Sequence, residues 1–166
     1  MAVLIKNRQN LYKIPQQETI QKAQAILNAL DCPDGELSLL ILDNLQITEL
    51  NQKYLNREGP ANVIAFSMRE GDYPEIAPQL LGDVVISAEK AADEARDCNI
   101  SLEERFLQLI VHGILHLFGY DHEKSDQEAL KMEQKSEELL KILVLHEMNQ
   151  NFQLKGEANG RTGCKC

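Results

Sequence analysis

Three of the chain's four histidines fall within eleven consecutive residues, 112–122, which read HGILHLFGYDH. His112 and His116 are four residues apart, a spacing that places two side chains on one face of a helix. Gly119 follows, and a glycine there lets the chain leave the helix axis and turn back, so that His122 approaches the same point. Three converging imidazoles are the open ligand set of a catalytic zinc ion, which keeps a fourth position for water.

The segment resembles the extended zinc-protease pattern, in which a glutamate follows the first histidine and acts as general base. Gly113 occupies that position here, and a glycine cannot carry a proton. Asp121 is a candidate replacement base, or an acceptor that orients one of the imidazoles. Asp121 or a distant residue could also close the site as a structural zinc centre. The remaining histidine, His146, is interpreted as a surface or packing residue.

Imidazole ligands suit zinc, and we predict one Zn²⁺ ion, although nickel, copper and iron also accept such ligands. The chain of 166 residues has a net charge of −9, which argues against a general nucleic-acid binder and leaves room for a local basic groove. The amino end lacks the pattern of a signal peptide, and no apolar run approaches the roughly 20 residues of a membrane span. We therefore expect a cytoplasmic protein without a membrane segment.

Hydrophobic periodicity predicts strands in the first half of the chain and helices in the second. The predicted strands are 2–7, 36–43, 62–68 and 81–87, and the predicted helices are 16–30, 47–55, 87–98, 102–118 and 125–148. This order indicates an α+β or small mixed α/β fold in one domain, residues 1–148. The polar residues 149–166 are expected to form a largely disordered tail.

Several motifs together resemble one family, the YbeY proteins, which are bacterial endoribonucleases that act as ribosomal RNA maturation factors. HGILHLFGYDH closely resembles the family signature. Upstream, Leu50-Asn51-x-x-Tyr54 and then PANVIAF at residues 60–66 are similar to the family's asparagine–tyrosine stretch and its P-T-D-V-L-S-F strand. LGDVVIS at residues 81–87 is similar to the L-G-D-I-V-I-S strand. Order and spacing hold from about residue 37 to about residue 140.

The resemblance implies a small α/β fold with a four-stranded, mostly parallel sheet packed with several helices. It implies one metal ion, taken as zinc, held by His112, His116 and His122. It further implies cleavage of single-stranded RNA, processing of the 3′ end of small-subunit ribosomal RNA and removal of defective ribosomes. The implied partners are ribosomal RNA and the small ribosomal subunit with its proteins.

Two departures from the family pattern affect the substrate side. Many relatives carry an arginine directly after the tyrosine, whereas this chain has Leu55, and Arg57 comes two residues later. Arg57 is either a substitute for that charge or an ordinary surface arginine. In the next strand Ala61 and Ala65 lack the family's two hydroxyl groups, while Asn62 retains a hydrogen-bonding group.

Metal-assisted phosphodiester hydrolysis is the mechanism that we predict, with Arg57, His112 and Asp121 as catalytic residues. Arg69 is a second candidate for the cation, and RNA would enter a locally basic groove between the sheet edge and the histidine helix, near Lys53. A zinc hydrolase of amide or peptide bonds is an alternative that Gly113 opposes. A non-catalytic, metal-stabilised ribosome-assembly factor is another, and Leu55 favours it.

Overall fold

The computed structural model describes residues 3–68 and 79–150, except for the side chains of His146, Met148, Asn149 and Gln150. The predictions for Arg69, the His146 side chain and residues 151–166 lie outside the described residues. The strands are β1 Val3–Asn7, β2 Glu36–Leu42, β3 Val63–Ser67 and β4 Leu80–Ser87. The helices are α1 Gln16–Ala29, α2 Asn44–Leu55, α3 Ala88–Asp97, α4 Leu102–Leu117 and α5 Asp126–Gln150. No helix in these two ranges is long and apolar enough to cross a membrane.

The strands form one four-stranded sheet in the order β1-β2-β4-β3. β1, β2 and β4 are parallel to one another, and β3 joins the edge of the sheet antiparallel to β4. The predicted mixed, mostly parallel sheet packed with several helices is therefore confirmed. The parallel pairs require helical crossovers, which α1 supplies between β1 and β2.

The sheet separates two hydrophobic clusters. Strand β3 contributes side chains to both, because successive side chains of a strand point to opposite faces of the sheet. Val63 and Ala65 pack into the larger cluster, which also holds the buried side chains of α4. Ile64 and Phe66 belong to the smaller cluster, which includes Ile47 of α2. Helices α4 and α2 therefore cover opposite faces of the sheet, and β3 is the edge strand between them.

Helix α4 has the start and the end that the sequence predicts. The Ser101 hydroxyl caps its first turn by accepting a hydrogen bond from the Glu104 N–H at 3.0 Å. At the other end Gly119 adopts a φ of 92°, in the left-handed region. The N–H of Gly119 donates to the His116 carbonyl at 3.1 Å, and the N–H of Tyr120 donates to the Leu115 carbonyl at 3.1 Å. This is a Schellman ending, which turns the chain sharply after the second histidine.

Helix α2 begins at Asn44, three residues earlier than predicted from the apolar stripe. The Asp43 carboxylate accepts a hydrogen bond from the Gln46 N–H at 2.8 Å, and the Gln46 side-chain oxygen accepts one from the Asp43 N–H at 3.1 Å. This reciprocal capping box satisfies two backbone donors and extends the helix over a polar first turn. Helix α5 also continues through Gln150, past the predicted boundary at residue 148.

Candidate metal centre

The three histidines of the predicted site come together at the carboxyl end of α4. The Nε2 atoms of His112 and His116 lie 3.0 Å apart. One ring nitrogen from each of His112, His116 and His122 falls within 4.8 Å of the others. The centroid of the His122 ring is 5.2 Å from that of His112 and 5.3 Å from that of His116. The predicted convergence of a helical pair with a third histidine beyond the glycine turn is confirmed.

The spacing of the helical pair of nitrogens is close to that which a tetrahedral metal ion requires. An ion bound at about 2.0–2.1 Å by each imidazole would hold neighbouring ligand nitrogens about 3.4 Å apart. The helical pair is already close to that separation. The His122 side chain is 45% exposed, so its ring has room to rotate toward the pair. The three histidines could therefore bind a metal ion, and the exposure of His122 leaves one side of the group open to solvent.

The surroundings favour the neutral form of the helical pair. The pKa of His112 falls from its ordinary value of 6.5 to about 4, chiefly because of burial and also because of the charges of His116, His122 and Arg105. Burial also lowers the pKa of His116, with help from His122. A neutral imidazole keeps a free lone pair, which a metal ion requires. At neutral pH both helical ligands are therefore ready to bind without losing a proton.

Gly113, where zinc proteases carry their catalytic glutamate, faces the sheet. A Cβ atom at this position would lie 2.5 Å from Cγ1 of Val84 and 3.2 Å from Cγ2 of Val63. Contacts this short are repulsive, so glycine allows α4 to pack closely on β3 and β4. A side chain at position 113 would enter the core, and the missing glutamate is explained by helix–sheet packing.

Asp121 forms part of the turn that carries the third histidine. Its Oδ1 accepts a hydrogen bond from the backbone N–H of Glu123 at 2.9 Å, which fixes the chain on both sides of His122. Its negative charge partly offsets the lowering of the His116 pKa, as does a hydrogen bond between that imidazole and the backbone of Tyr120. Asp121 is thus near the ligands, with one carboxylate oxygen already used by the turn.

Arg57 lies away from these contacts, in the loop after α2. Its backbone N–H donates to the Asn51 carbonyl at 3.2 Å, and the Asn51 side chain donates to the Gly59 carbonyl at 3.0 Å. These bonds hold the loop backbone, whereas the Arg57 side chain is exposed and makes no hydrogen bond or ion pair to the described residues. The loop of Arg57 follows α2, whereas His112 and His116 lie on α4, which covers the opposite face of the sheet.

Arg105 is a residue near the site that the sequence analysis missed. Its buried guanidinium donates from Nη2 to Glu94 Oε1 at 3.1 Å and from Nη1 to Gln108 Oε1 at 2.9 Å. Asn62, at the start of β3, donates to the same Glu94 carboxylate at 3.2 Å. The charge of Arg105 acts on His112, which lies two helical turns further along α4. The spacing of seven residues between Arg105 and His112 was the signal available in the sequence. The pairing of Arg105 with Glu94 could be seen only in the folded structure.

Comparisons with known proteins point to one family. The family described as Endoribonuclease YbeY matches residues 4–144. The Endoribonuclease YbeY of Syntrophotalea carbinolica is 49% identical over 137 residues, covering 81% of this chain and 91% of that protein. That of Geobacter metallireducens is 45% identical over 144 residues, covering 86% and 96%.

A solution structure of a Thermotoga maritima protein shares the fold. Its TM-score is 0.62 at 20% sequence identity, and the match covers 95% of this chain and 99% of the other. At this identity the likeness concerns the fold alone. The family, in contrast, is shown by sequence. The family match spans residues 4–144, and the two relatives are more than 40% identical over most of both chains. The chain belongs to the YbeY endoribonuclease family.

Proposed function

We propose that this chain is a zinc-dependent endoribonuclease that cuts single-stranded RNA in the cytoplasm. Its substrate would be ribosomal RNA, at the 3′ end of the small-subunit species and in defective ribosomes. The observation that carries the proposal is the group of three histidine nitrogens within 4.8 Å of one another, in a chain that belongs to a family of endoribonucleases. Neutral imidazoles in an open group of three are the ligand set that catalytic zinc prefers.

Each residue of the site has a separate task in this proposal. His112, His116 and His122 hold the ion, which when bound supplies a Lewis acid and a water of lowered pKa. Asp121 orients the ligand turn and offers its second carboxylate oxygen as a proton acceptor. Arg57 neutralises charge on the RNA phosphates during cleavage.

The acidic chain needs local cations to bind RNA. A net charge of −9 repels a polyanion at long range. Lys53 and Arg57 are both exposed near the end of α2, beside the edge strand β3. Contacts to the small ribosomal subunit and its proteins would supply the remaining affinity, because two cations account for little binding at physiological salt.

The two rival functions make different demands on the same site. Hydrolysis of peptides by the usual zinc-protease route needs a base beside the first histidine, and Gly113 faces Val84 instead. A ribosome-assembly factor without catalysis needs the metal only for stability, and Leu55 in place of the family arginine is the feature in its favour. The two rivals and the nuclease differ in which substrate is cut and in whether the metal is required.

The test compares single-stranded RNA, the same sequence as a duplex, and an unstructured peptide, each with and without a chelator. We expect metal-dependent cutting of the single strand alone, abolished in His112→Ala and in His116→Ala. His146→Ala is the matched control, because it removes the histidine outside the 112–122 segment. RNA cutting that persists in both ligand variants would overturn the proposal, as would metal-dependent cutting of the peptide in place of the RNA.

A further inference from the structure

The carboxyl end of α2 and the edge strand β3 present an exposed apolar surface. Tyr54 is 59% exposed, and Met68, directly after β3, is 61% exposed. Phe66 contacts Tyr54 and lies on the same face of the strand as Met68, because residues two apart in a strand share a face. The backbone N–H of Met68 donates to the Leu81 carbonyl at 3.0 Å, so the strand geometry continues to that residue. We call Tyr54, Phe66 and Met68 the apolar strip.

The Tyr54 ring packs against Phe66 and is otherwise largely exposed to solvent. Its centroid is 5.9 Å from that of Phe66, with the two planes at 74°, an edge-to-face contact. Phe66 is anchored in the smaller hydrophobic cluster with Ile64 and Val85. Tyr54 therefore offers an aromatic face on a rigid base, which costs little entropy when a planar group stacks on it.

Positive charge accompanies the exposed ring. The Lys53 Nζ lies over the Tyr54 ring, 5.2 Å from its centroid, in a cation–π contact, and the exposed Arg57 follows three residues after the tyrosine. Proteins that bind single-stranded nucleic acid combine aromatic faces for the bases with nearby cations for the phosphates. On a chain with a net charge of −9, two cations at one exposed ring form a local positive site that suits a polyanion. The charge pattern therefore favours RNA as the occupant.

The strip and the histidines lie on the two sides of one strand. Phe66 points to the α2 face of β3, whereas Val63 and Ala65 point to the face covered by α4, which carries His112 and His116. β3 is the edge strand of the sheet among the described residues, so a chain passing from one side to the other would cross its outer edge. A flexible single strand can follow this path, and its unpaired bases have free faces for stacking.

We propose that Tyr54, supported by Phe66, is a stacking subsite for a nucleobase of single-stranded RNA, separate from the position cut at the metal. This inference rests on the proposed function. The subsite selects unpaired RNA, because bases within a duplex are stacked on one another and cannot reach the ring. It also provides affinity on the side of the molecule where Leu55 has replaced the family arginine.

The test measures binding of a short single-stranded RNA carrying 2-aminopurine, with phosphorothioate linkages to resist cutting, to the metal-loaded protein. We expect Tyr54→Ala to weaken binding about five-fold or more and to abolish the quenching of fluorescence that stacking causes. Tyr54→Phe keeps the ring and should bind like the unchanged protein. Leu45→Ala is the matched control, because Leu45 is 71% exposed at the other end of α2.

The same contact can be tested from the RNA side by moving an abasic nucleotide along the probe. One position should lose affinity with the unchanged protein and lose none with Tyr54→Ala, as expected when two changes remove the same contact. Equal affinity of Tyr54→Ala and the unchanged protein for every probe would overturn the subsite alone. Failure of the unchanged protein to bind any single-stranded RNA would overturn the subsite together with the proposed function.

Discussion

The two sides of strand β3 differ in how firmly the fold fixes their side chains. On the α4 side the histidine pair is anchored by a regular helix, a capped start, a close helix–sheet contact at Gly113 and a Schellman ending. On the α2 side hydrogen bonds hold the loop backbone and Phe66 contacts the Tyr54 ring, while the side chains of Lys53, Tyr54 and Arg57 are exposed. The histidine pair is therefore preorganised by the fold, whereas the α2 side depends on exposed side chains that can be exchanged without unfolding the protein.

Removal of a ligand on the rigid side should have the largest effect. We expect His116→Ala to lose bound metal and to lower RNA cleavage more than about 100-fold, because loss of an outer partner of a metal ligand already costs about 10–100-fold. Metal content by mass spectrometry and cleavage rates measure this. One metal ion per chain together with full activity in His116→Ala would contradict the assigned ligand set.

The close contact at Gly113 can be broken by a single methyl group. Gly113→Ala should destabilise the protein by about 1–3 kcal/mol because its Cβ collides with Val84. Helix propensity alone predicts the opposite sign, a gain of about 1 kcal/mol. Unfolding in urea distinguishes the two. Addition of Val84→Ala should recover part of the loss, and independent effects of the two substitutions would argue against the contact.

Acid should lower the free energy of unfolding of the metal-free protein through His112, which lies in the same rigid region. His112 has a pKa of about 4 when folded and an ordinary value of 6.5. Below 6.5 the unfolded chain binds a proton that the folded chain does not, so stability is retained above that pH and lost as the pH falls toward 4. The loss amounts to at most about 3 kcal/mol. The measurement is urea unfolding against pH for the chelator-treated protein, and His112→Gln should flatten the profile between those pH values.

The smallest effects are expected on the exposed side. Arg57→Ala should lower RNA cleavage about ten-fold, the effect of losing one charge-assisted contact, while metal content stays unchanged. Arg96→Ala is the matched control, since Arg96 is an exposed arginine on α3 paired only with Asp93 among the described residues. Leu55→Arg should restore activity to the Arg57→Ala protein. Full activity of Arg57→Ala would remove that residue from the mechanism.

The sequence predicted the rigid side better than the exposed side because local signals specify it. The serine cap, the histidine spacing and Gly119 all lie within one short segment, and each acts on its immediate neighbours. The need for glycine at position 113 could not be predicted, because it arises from the close contact with Val84, which lies on β4. The ion pair of Arg105 with Glu94 on α3 could not be predicted for the same reason, because only the fold brings the two residues together. On the exposed side, the Arg57 side chain has no hydrogen bond or ion pair to the described residues that would fix where its charge points.

The most direct test of the account is a titration of zinc into chelator-treated protein while cleavage of single-stranded RNA is followed. The account predicts that activity rises from the background level and saturates at one ion per chain, and that His112→Ala and His116→Ala stay at background throughout. Activity that is already complete before zinc is added, or that rises equally in both variants, would contradict it.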